Sequence, residues 1–306
     1  MKKVSVLSPA TVANIVCGFD IMGFAVHQPS DKITMRLLDK KEIRIINKDN
    51  YNLPTEPTKN VFGGALLAMM NAVNEEIGFE VESTKVIKPG SGIGSSAASA
   101  AGVVVAANHL LGNRFTKMEL VRFAMYGEQI ASQAWHADNI APCIYGGVTL
   151  IRSNEPLDIT SLNFPPLHVT IIHPQIEVKT SYAREILPKQ VALKDAVTQW
   201  ANVAGLVAGF MKEDYELISR SLKDILIEPV RSKLIPAFDE LKKQCMEAGA
   251  LGGGISGSGP SVFMLSKDET TAKKVEQAMN DVYRKTGIDF NVYVTKVNNE
   301  GVEIVN

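Results

Sequence analysis

Apolar and polar positions change rhythm several times along the chain, and each change marks a predicted element. Short β-branched or alternating runs at Val4–Leu7, Ile33–Leu38 and Ile43–Ile46 predict strands, with a glycine-containing loop from the first of them to Gly23. Apolar residues recur at helical spacing from Val61 to Ile77. Glu82–Ile87 reads as a further strand and runs into the glycine-rich stretch PGSGIGSS at 89–96. Ala97–Leu111 is then small, apolar and helical in character, with Ser95 or Ser96 expected at its cap. Thr116 and Glu119 stand at capping-box spacing and start the next helix, which carries Glu128 near its far end before the polar turn from His136 to Asn139.

The second half continues in the same mixed manner. Strands are predicted at Val148–Ile151 and Val169–Ile172, and helices around Tyr182, at Leu193–Met211 and at Asp214–Leu222. A helix at Ala237–Glu247 leads into the loop GGGISGSGPS at 252–261, then a strand at Val262–Leu265, a helix at Thr270–Arg284 and a strand at Phe290–Val297. That ending predicts a small antiparallel sheet with helices on one face. The 306 residues exceed what one hydrophobic core organises, so two domains, each with its own core, are expected, with the change between residues 150 and 175.

Composition narrows the function classes. At 45% hydrophobic and 21% charged the chain is a packed protein rather than a disordered or coiled-coil one. Thirty-two basic and 33 acidic residues give a net charge of -1, which leaves no overall field to hold nucleic acid or a membrane surface. Cys17, Cys143 and Cys245 form no CxxC pair and have no second ligand at metal spacing, as expected of thiols in a reducing compartment. Only a few apolar residues separate Met1-Lys2-Lys3 from Pro9, and the apolar run at 97–107 falls short of the ~20 residues of a spanning helix. A cytoplasmic protein is expected.

Two glycine loops carry the candidate chemistry. Glycines at 90, 92 and 94 opening onto a helix can turn backbone N–H groups into one concavity where the helix dipole favours an anion, and a serine hydroxyl there can ligate Mg²⁺. The alternative is a tight turn before a closely packed helix. A Walker loop it is not, since Ser95 stands where that pattern requires lysine. The second loop matches G-x-G-x-x-G at Gly252, Gly254 and Gly257, but Pro260 and a strand follow it instead of a helix, so it is no dinucleotide site. A rigid wall beside a ligand, or a tight helix-to-strand connection, suits it better.

Three segments in order, 9–25 (PATVANIVCGFDIMGFA), 89–102 (PGSGIGSSAASAAG) and 252–261, resemble the motifs of the GHMP small-molecule kinases. The resemblance implies a two-domain α+β fold. Its N-terminal ATP-binding part, here 1–160, is of a ribosomal-protein-like kind with a left-handed crossover at the phosphate loop, and its C-terminal part, 161–306, is ferredoxin-like. Further pieces resemble the branch of the family that phosphorylates L-homoserine: Asn14 with Gly-Phe-Asp20, Lys59-Asn60-Val61, Tyr126-Gly-Glu128, HADNIAP at 136–142, Gly146-Gly147, AREILP at 183–188 and EPVR at 228–231. The chain departs from the family's Ser-Ala-Asn-Leu-Gly at Val12 and Val16. If that glycine serves a positive φ, Val16 copies it only at a steric cost, and the local path and the contact made by residue 12 stay open.

The resemblance implies ATP and Mg²⁺ as cofactors and assigns roles. Pro89, Gly90, Ser91, Gly92, Ile93, Gly94, Ser95, Ser96, Ala97, Ala98 and Ser99 would form the phosphate loop, Asn60 and Val61 would border the adenine, and Glu128 with Ser96 would hold the metal. A zwitterionic substrate needs cations for its carboxylate and an anion for its ammonium. Arg184 and Arg231 suit the first and Asp20 the second, with Asn14 and His136 as hydrogen-bonding neighbours. Asn139 would orient the substrate hydroxyl and Thr180 would lie near the reacting phosphate. Asp138 would shape the pocket rather than act as base, the proton passing to the γ-phosphate. Outside the motif context these residues read as surface arginines, a turn-forming Asp, a loop His and a solvated Glu. The rival expectations are a mevalonate- or sugar-type kinase and a silent nucleotide-binding regulator on the same fold. A homodimer in the threonine pathway is the further implication.

Overall fold

The computed structural model describes residues 2–73, 75–133 and 135–305. Two long antiparallel strands, β1 (Lys3–Ala13) and β2 (Met22–Leu38), form the axis of the first sheet. β1 runs well past the predicted Leu7 because its polar positions are satisfied inside the protein: Ser8 is fully buried and its hydroxyl donates to the Ala98 carbonyl at 2.6 Å. β3 (Ile43–Asn47) lies parallel to β4 (Gly78–Thr84), which pairs antiparallel with the second half of β2. The strand expected at Glu82–Ile87 therefore sits earlier. Residues 86 and 87 leave the ladder because the Asp31 carboxylate accepts from both their N–H groups, at 2.7 and 2.8 Å. β5 (Val148–Asn154) pairs with the first residues of β2 and with β6 (Leu157–Leu162), a strand the pattern did not reveal.

Four helices cover this sheet: α1 (Val61–Val73), α2 (Ser95–Leu110), α3 (Lys117–Ser132) and α4 (Ile140–Tyr145). α2 packs on β1 and β2 beneath α1 and α3 and is buried almost all round, which is why its residues are small. A Cβ on Gly102 would press into Ile33 and come within 3.1 Å of Ser8. The cap of α2 is Gly94 in the left-handed region rather than Ser95 or Ser96, which are its first two residues. The capping box of α3 forms as expected, with Thr116 Oγ1 accepting from the Glu119 N–H at 3.3 Å.

The second half holds α5 (Thr180–Glu185), α6 (Leu193–Lys212), α7 (Tyr215–Ser221), α8 (Glu228–Arg231), α9 (Phe238–Glu247) and α10 (Glu269–Tyr283). Its antiparallel sheet runs in the order β10 (Phe290–Lys296), β7 (His168–Pro174), β9 (Val262–Ser266), β8 (Gly252–Ile255). The predicted loop 252–261 thus begins as a strand, and only residues 256–261 connect β8 to β9. The glycines of β8 allow that pairing, since a Cβ on Gly253 would collide with the Phe263 carbonyl oxygen. The unbroken apolar run of β9 serves two cores at strand period. Val262 and Met264 face α9 and α10, among Leu241, Val275 and Met279, whereas Phe263 and Leu265 face the first sheet. Phe263 meets Phe24 of β2 edge to face, with ring centroids 5.7 Å apart. The expectation of one core per domain is corrected accordingly: the larger cluster runs through both halves, and the smaller lies on the outer face of the second sheet. The chain then returns to the first sheet, where β11 (Glu303–Val305) pairs with Ser5–Leu7.

Val16 does take the left-handed conformation, with φ of 65°, in a run with Asn14 at 75° and Ile15 at 39°. A β-branched residue pays about 1–2 kcal/mol there. Two local bonds and one tertiary bond hold the run in place: Gly18 N–H to Asn14 O at 2.7 Å, Asn14 N–H to Met22 O at 2.7 Å, and the Gln199 amide to Cys17 O at 3.0 Å. Val12 is fully buried and belongs to the core.

Beneath the first glycine loop lies a buried ion pair between Asp31 of β2 and Lys85, whose side chains are 1% and 2% exposed. Lys85 Nζ also donates to Ser99 Oγ at 2.9 Å and to Ser95 O at 3.2 Å. Removing one partner strands the other as an uncompensated buried charge, at a cost of about 3–5 kcal/mol. Lys85→Ala is expected to lose stability of that order in urea unfolding, whereas a loss below about 1 kcal/mol, the scale of an exposed pair, would show that the pair does not anchor the fold.

Candidate active site

One cavity of about 800 Å³ runs along the first glycine loop, between the start of α1, the end of α3, the turn before α4, the start of α5 and residues 257–258 of the second glycine loop. Glycines 90, 92 and 94 all have positive φ, near 70–80°. Gly92 lets the two glycine loops touch, since a Cβ there would collide with the Gly259 carbonyl oxygen. The second loop fastens the first through Ser256 Oγ to Gly92 O at 2.8 Å and Ser261 Oγ to Ser91 O at 2.6 Å. Gly94 caps α2 without a side-chain acceptor, so the first-turn N–H groups of this 16-residue helix are left for an anion. Pro89 to Gly92, Gly94 to Ser96 and Ser99 line the cavity. Ile93, Ala97 and Ala98 are buried in the core instead.

The first motif lies across the cavity. Asn14 spans it by accepting from the Asp20 N–H at 3.1 Å and donating from its amide to Gly257 O at 2.9 Å. Arg184, on α5, binds Asp20 in a bidentate pair with both N···O distances 2.9 Å. Arg231, on α8, is 3% exposed and donates to Ala183 O at 2.9 Å and Gly257 O at 3.0 Å. Burial and the Arg184 charge pull its pKa down to about 10, so it stays charged at neutral pH. Both guanidinium groups lie over the Phe19 ring, at 5.0 Å for Arg231 and 5.6 Å for Arg184, a shelf the sequence did not single out. His136 Nε2 is 3.8 Å from Asp20 Oδ2. Burial, with Arg184, outweighs Asp20 and holds the imidazole below its usual pKa, hence neutral.

Asp138 and Asn139 form the floor. Asp138 is pushed up to about 7 by burial, then by the negative charges of Asp20 and Glu128. Asn139 Oδ1 accepts from Thr11 Oγ1 at 2.8 Å. Thr180, the first residue of α5, meets Ser258 hydroxyl to hydroxyl at 3.2 Å. Lys85, just past the end of β4, and Thr11, on β1, were invisible as site residues: a lone lysine and a strand threonine carry no local signal of what lies above them.

At the other end, Asn60 turns its side chain inward. Its Oδ1 accepts from the Phe62 N–H at 2.8 Å and its amide donates to Pro54 O, and it lines the cavity wall together with Leu53, Pro54, Val61 and Ile130. Gly127 lets α3 approach Val61, because a Cβ there would press on the Val61 carbonyl oxygen, and the neighbouring Glu128 lines the cavity. Ser96 and Glu128 both line it as oxygen donors, the kind of set that suits Mg²⁺, which keeps few protein ligands and fills its shell with phosphate oxygens and water.

Comparison with known proteins agrees along the whole chain. Residues 60–147 match the GHMP kinases N terminal domain, and residues 206–285 match GHMP kinases C terminal. The homoserine kinase of Chloroherpeton thalassium is 44% identical and that of Chlorobium phaeobacteroides strain BS1 41% identical, each over 100% of both chains. The crystal structure of homoserine kinase from Cytophaga hutchinsonii superposes with a TM-score of 0.96 at 49% identity, covering 100% of this chain and 98% of that one.

The raised pKa of Asp138 has a sign that can be measured. Between about pH 4 and 7 the folded state keeps a proton that the unfolded state has lost, so the group's contribution to stability falls as pH rises through that window. Asp138→Asn, neutral throughout, is expected to raise the melting temperature relative to the parent more at pH 8 than at pH 5. An equal shift at both values would mean that the carboxyl titrates normally.

Proposed function

Because the chain belongs to the GHMP kinase family, we propose that it transfers the γ-phosphoryl group of ATP to the side-chain hydroxyl of L-homoserine, releasing ADP and O-phospho-L-homoserine. The observation that carries this reading is the Asp20–Arg184 pair, with Arg231 beside it, in the same cavity as the glycine loop. A zwitterion suits such a site. Its ammonium takes the place of the guanidinium at Asp20, and its carboxylate takes Arg184 and Arg231, so the charge balance of the cavity is kept. The exchange costs little, since the pair is 22% and 41% exposed and such pairs contribute about 0–1 kcal/mol. A sugar or mevalonate has no ammonium to offer Asp20. A silent regulator is disfavoured because both the glycine loop and Glu128 are intact.

ATP lies in this reading with its adenine against Asn60, Val61, Leu53, Pro54 and Ile130, and its phosphates on the open amides of the first glycine loop and the first turn of α2. Ser96 and Glu128 would hold Mg²⁺, which neutralises phosphate charge when bound. Asn139 orients the substrate hydroxyl, neutral His136 and Asn14 steady the amino-acid part, and Thr180 faces the reacting phosphate. As the hydroxyl oxygen bonds to the γ-phosphorus and the bond to the bridging oxygen breaks, the hydroxyl proton moves to a γ-phosphate oxygen. Asp138, half-protonated near pH 7 through burial, shapes the pocket without taking that proton.

The site lies between an N-terminal unit, 1–160, and a C-terminal unit, 161–306. A homodimer is part of the proposal, and the exposed apolar face of α6, with Leu193 at 72% and Trp200 at 56% exposure, offers it a surface. No described helix is long and apolar enough to cross a membrane, and the three cysteines are free and buried, which supports a cytoplasmic setting.

A coupled assay of ADP release with Mg-ATP tests the reading against homoserine, mevalonate, galactose and shikimate. Release with homoserine alone is expected. Release with none of them overturns the kinase reading, and release with mevalonate alone overturns the substrate. Asp138→Asn is expected to keep turnover within about ten-fold. A loss of about 10³-fold or more at unchanged homoserine KM would make Asp138 the general base.

A further inference from the structure

Thr11 is fully buried at the far end of β1, and it touches both parts of the site that must meet during phosphoryl transfer. Its N–H donates to the Ile93 carbonyl at 3.1 Å, which holds the glycine loop at a set distance from the strand. Its hydroxyl donates to Asn139 Oδ1 at 2.8 Å. Gly94 completes the arrangement, because a Cβ on it would collide with Thr11 Oγ1 and stand 3.1 Å from Asn139 Oδ1. Only a glycine at that point of the loop leaves the hydroxyl-to-amide bond intact.

We propose that Thr11 is a positioning residue that holds the Asn139 amide at a fixed place beside the glycine loop, and with it the substrate hydroxyl that the amide meets. The inference rests on the reading that Asn139 meets the hydroxyl. An amide side chain is nearly symmetric in shape but opposite in chemistry at its two ends, with an acceptor oxygen and a donor NH₂. With Oδ1 engaged by Thr11, the NH₂ group faces the cavity and donates to the substrate oxygen. One lone pair of that oxygen is then occupied, the other is free to attack phosphorus, and the hydroxyl hydrogen is left for a γ-phosphate oxygen. Thr11 fixes the position of the amide, and because the same residue spaces the glycine loop, the hydroxyl and the phosphate are referred to one fixed point.

The test compares Thr11→Val, Thr11→Ser, Asn139→Ala and the double variant Thr11→Val/Asn139→Ala in the intact enzyme. The measurements are kcat and KM for homoserine, the Kd of Mg-ADP and the urea midpoint. Thr11→Val is expected to lower kcat about ten-fold or more, with homoserine KM and the ADP Kd within about three-fold of the parent, and Thr11→Ser to restore kcat to within about three-fold. In the Asn139→Ala background Thr11→Val should cause no further loss, because the two residues act as one unit. Unchanged kcat in Thr11→Val, or an equal loss with and without Asn139, overturns the proposal and leaves Thr11 as a packing residue. Full turnover in Asn139→Ala instead overturns the reading beneath it. Thr11→Ala removes the same hydroxyl without added bulk and carries the same comparison if Thr11→Val does not fold.

Discussion

A lysine ammonium and a carboxylate buried against each other under a glycine loop are the constraint from which the site follows. Neither Asp31 nor Lys85 is tolerable alone at 1–2% exposure, and each has its remaining hydrogen-bonding capacity met by neighbours. Asp31 draws the backbone of residues 86 and 87 off the sheet, while Lys85 grips the first turn of α2 at Ser95 and Ser99. The two ends of the glycine loop are thereby set, and no side chain caps the first turn of α2. The loop needs no Walker lysine of its own to be rigid; a lysine ten residues before Ser95 organises it from beneath.

The second sheet supplies the other half of the frame. Its strand β9 packs one face on α9 and α10 and the other on the first sheet, so the two halves of the chain share a core instead of merely abutting. Phe24 against Phe263 is the clearest contact of that kind. The shared core brings the connection after β8 onto the first glycine loop, where Ser256 and Ser261 bind its carbonyls. It also brings Arg184 and Arg231 to Asp20 and Phe19, which come from residues far earlier in the chain. The cavity is therefore lined from both halves of the chain, and neither half carries it alone.

What could be read in advance were features whose physics is local. The capping box at Thr116, the small-residue helix behind the glycine loop and the helix of Leu193–Met211 each depend on neighbours within a few turns. The elements misjudged were those set by distant partners. β4 ended early because Asp31, more than fifty residues away, captured its next N–H groups. The glycines of Gly252–Gly254 became a strand because β9 lay beside them. Val16, whose path the sequence left open, adopts a left-handed backbone that its β-branched side chain resists; two local bonds, Gly18 to Asn14 and Asn14 to Met22, and the distant Gln199 at Cys17 hold the run around it.

The sequence by itself determined the family, most of the elements in their order and the types of side chain on offer to ligands, because motifs and short-range periodicity are properties of neighbouring residues. The tertiary structure alone decided which of those side chains meet. It paired Asp20 with Arg184, bound the Asn60 side chain to the backbone of residues 54 and 62, raised the Asp138 carboxyl by burying it near two other acids, and joined Thr11 to Asn139 across 128 positions of chain. Such contacts depend on how two sheets close over a common core, and no local pattern encodes that closure.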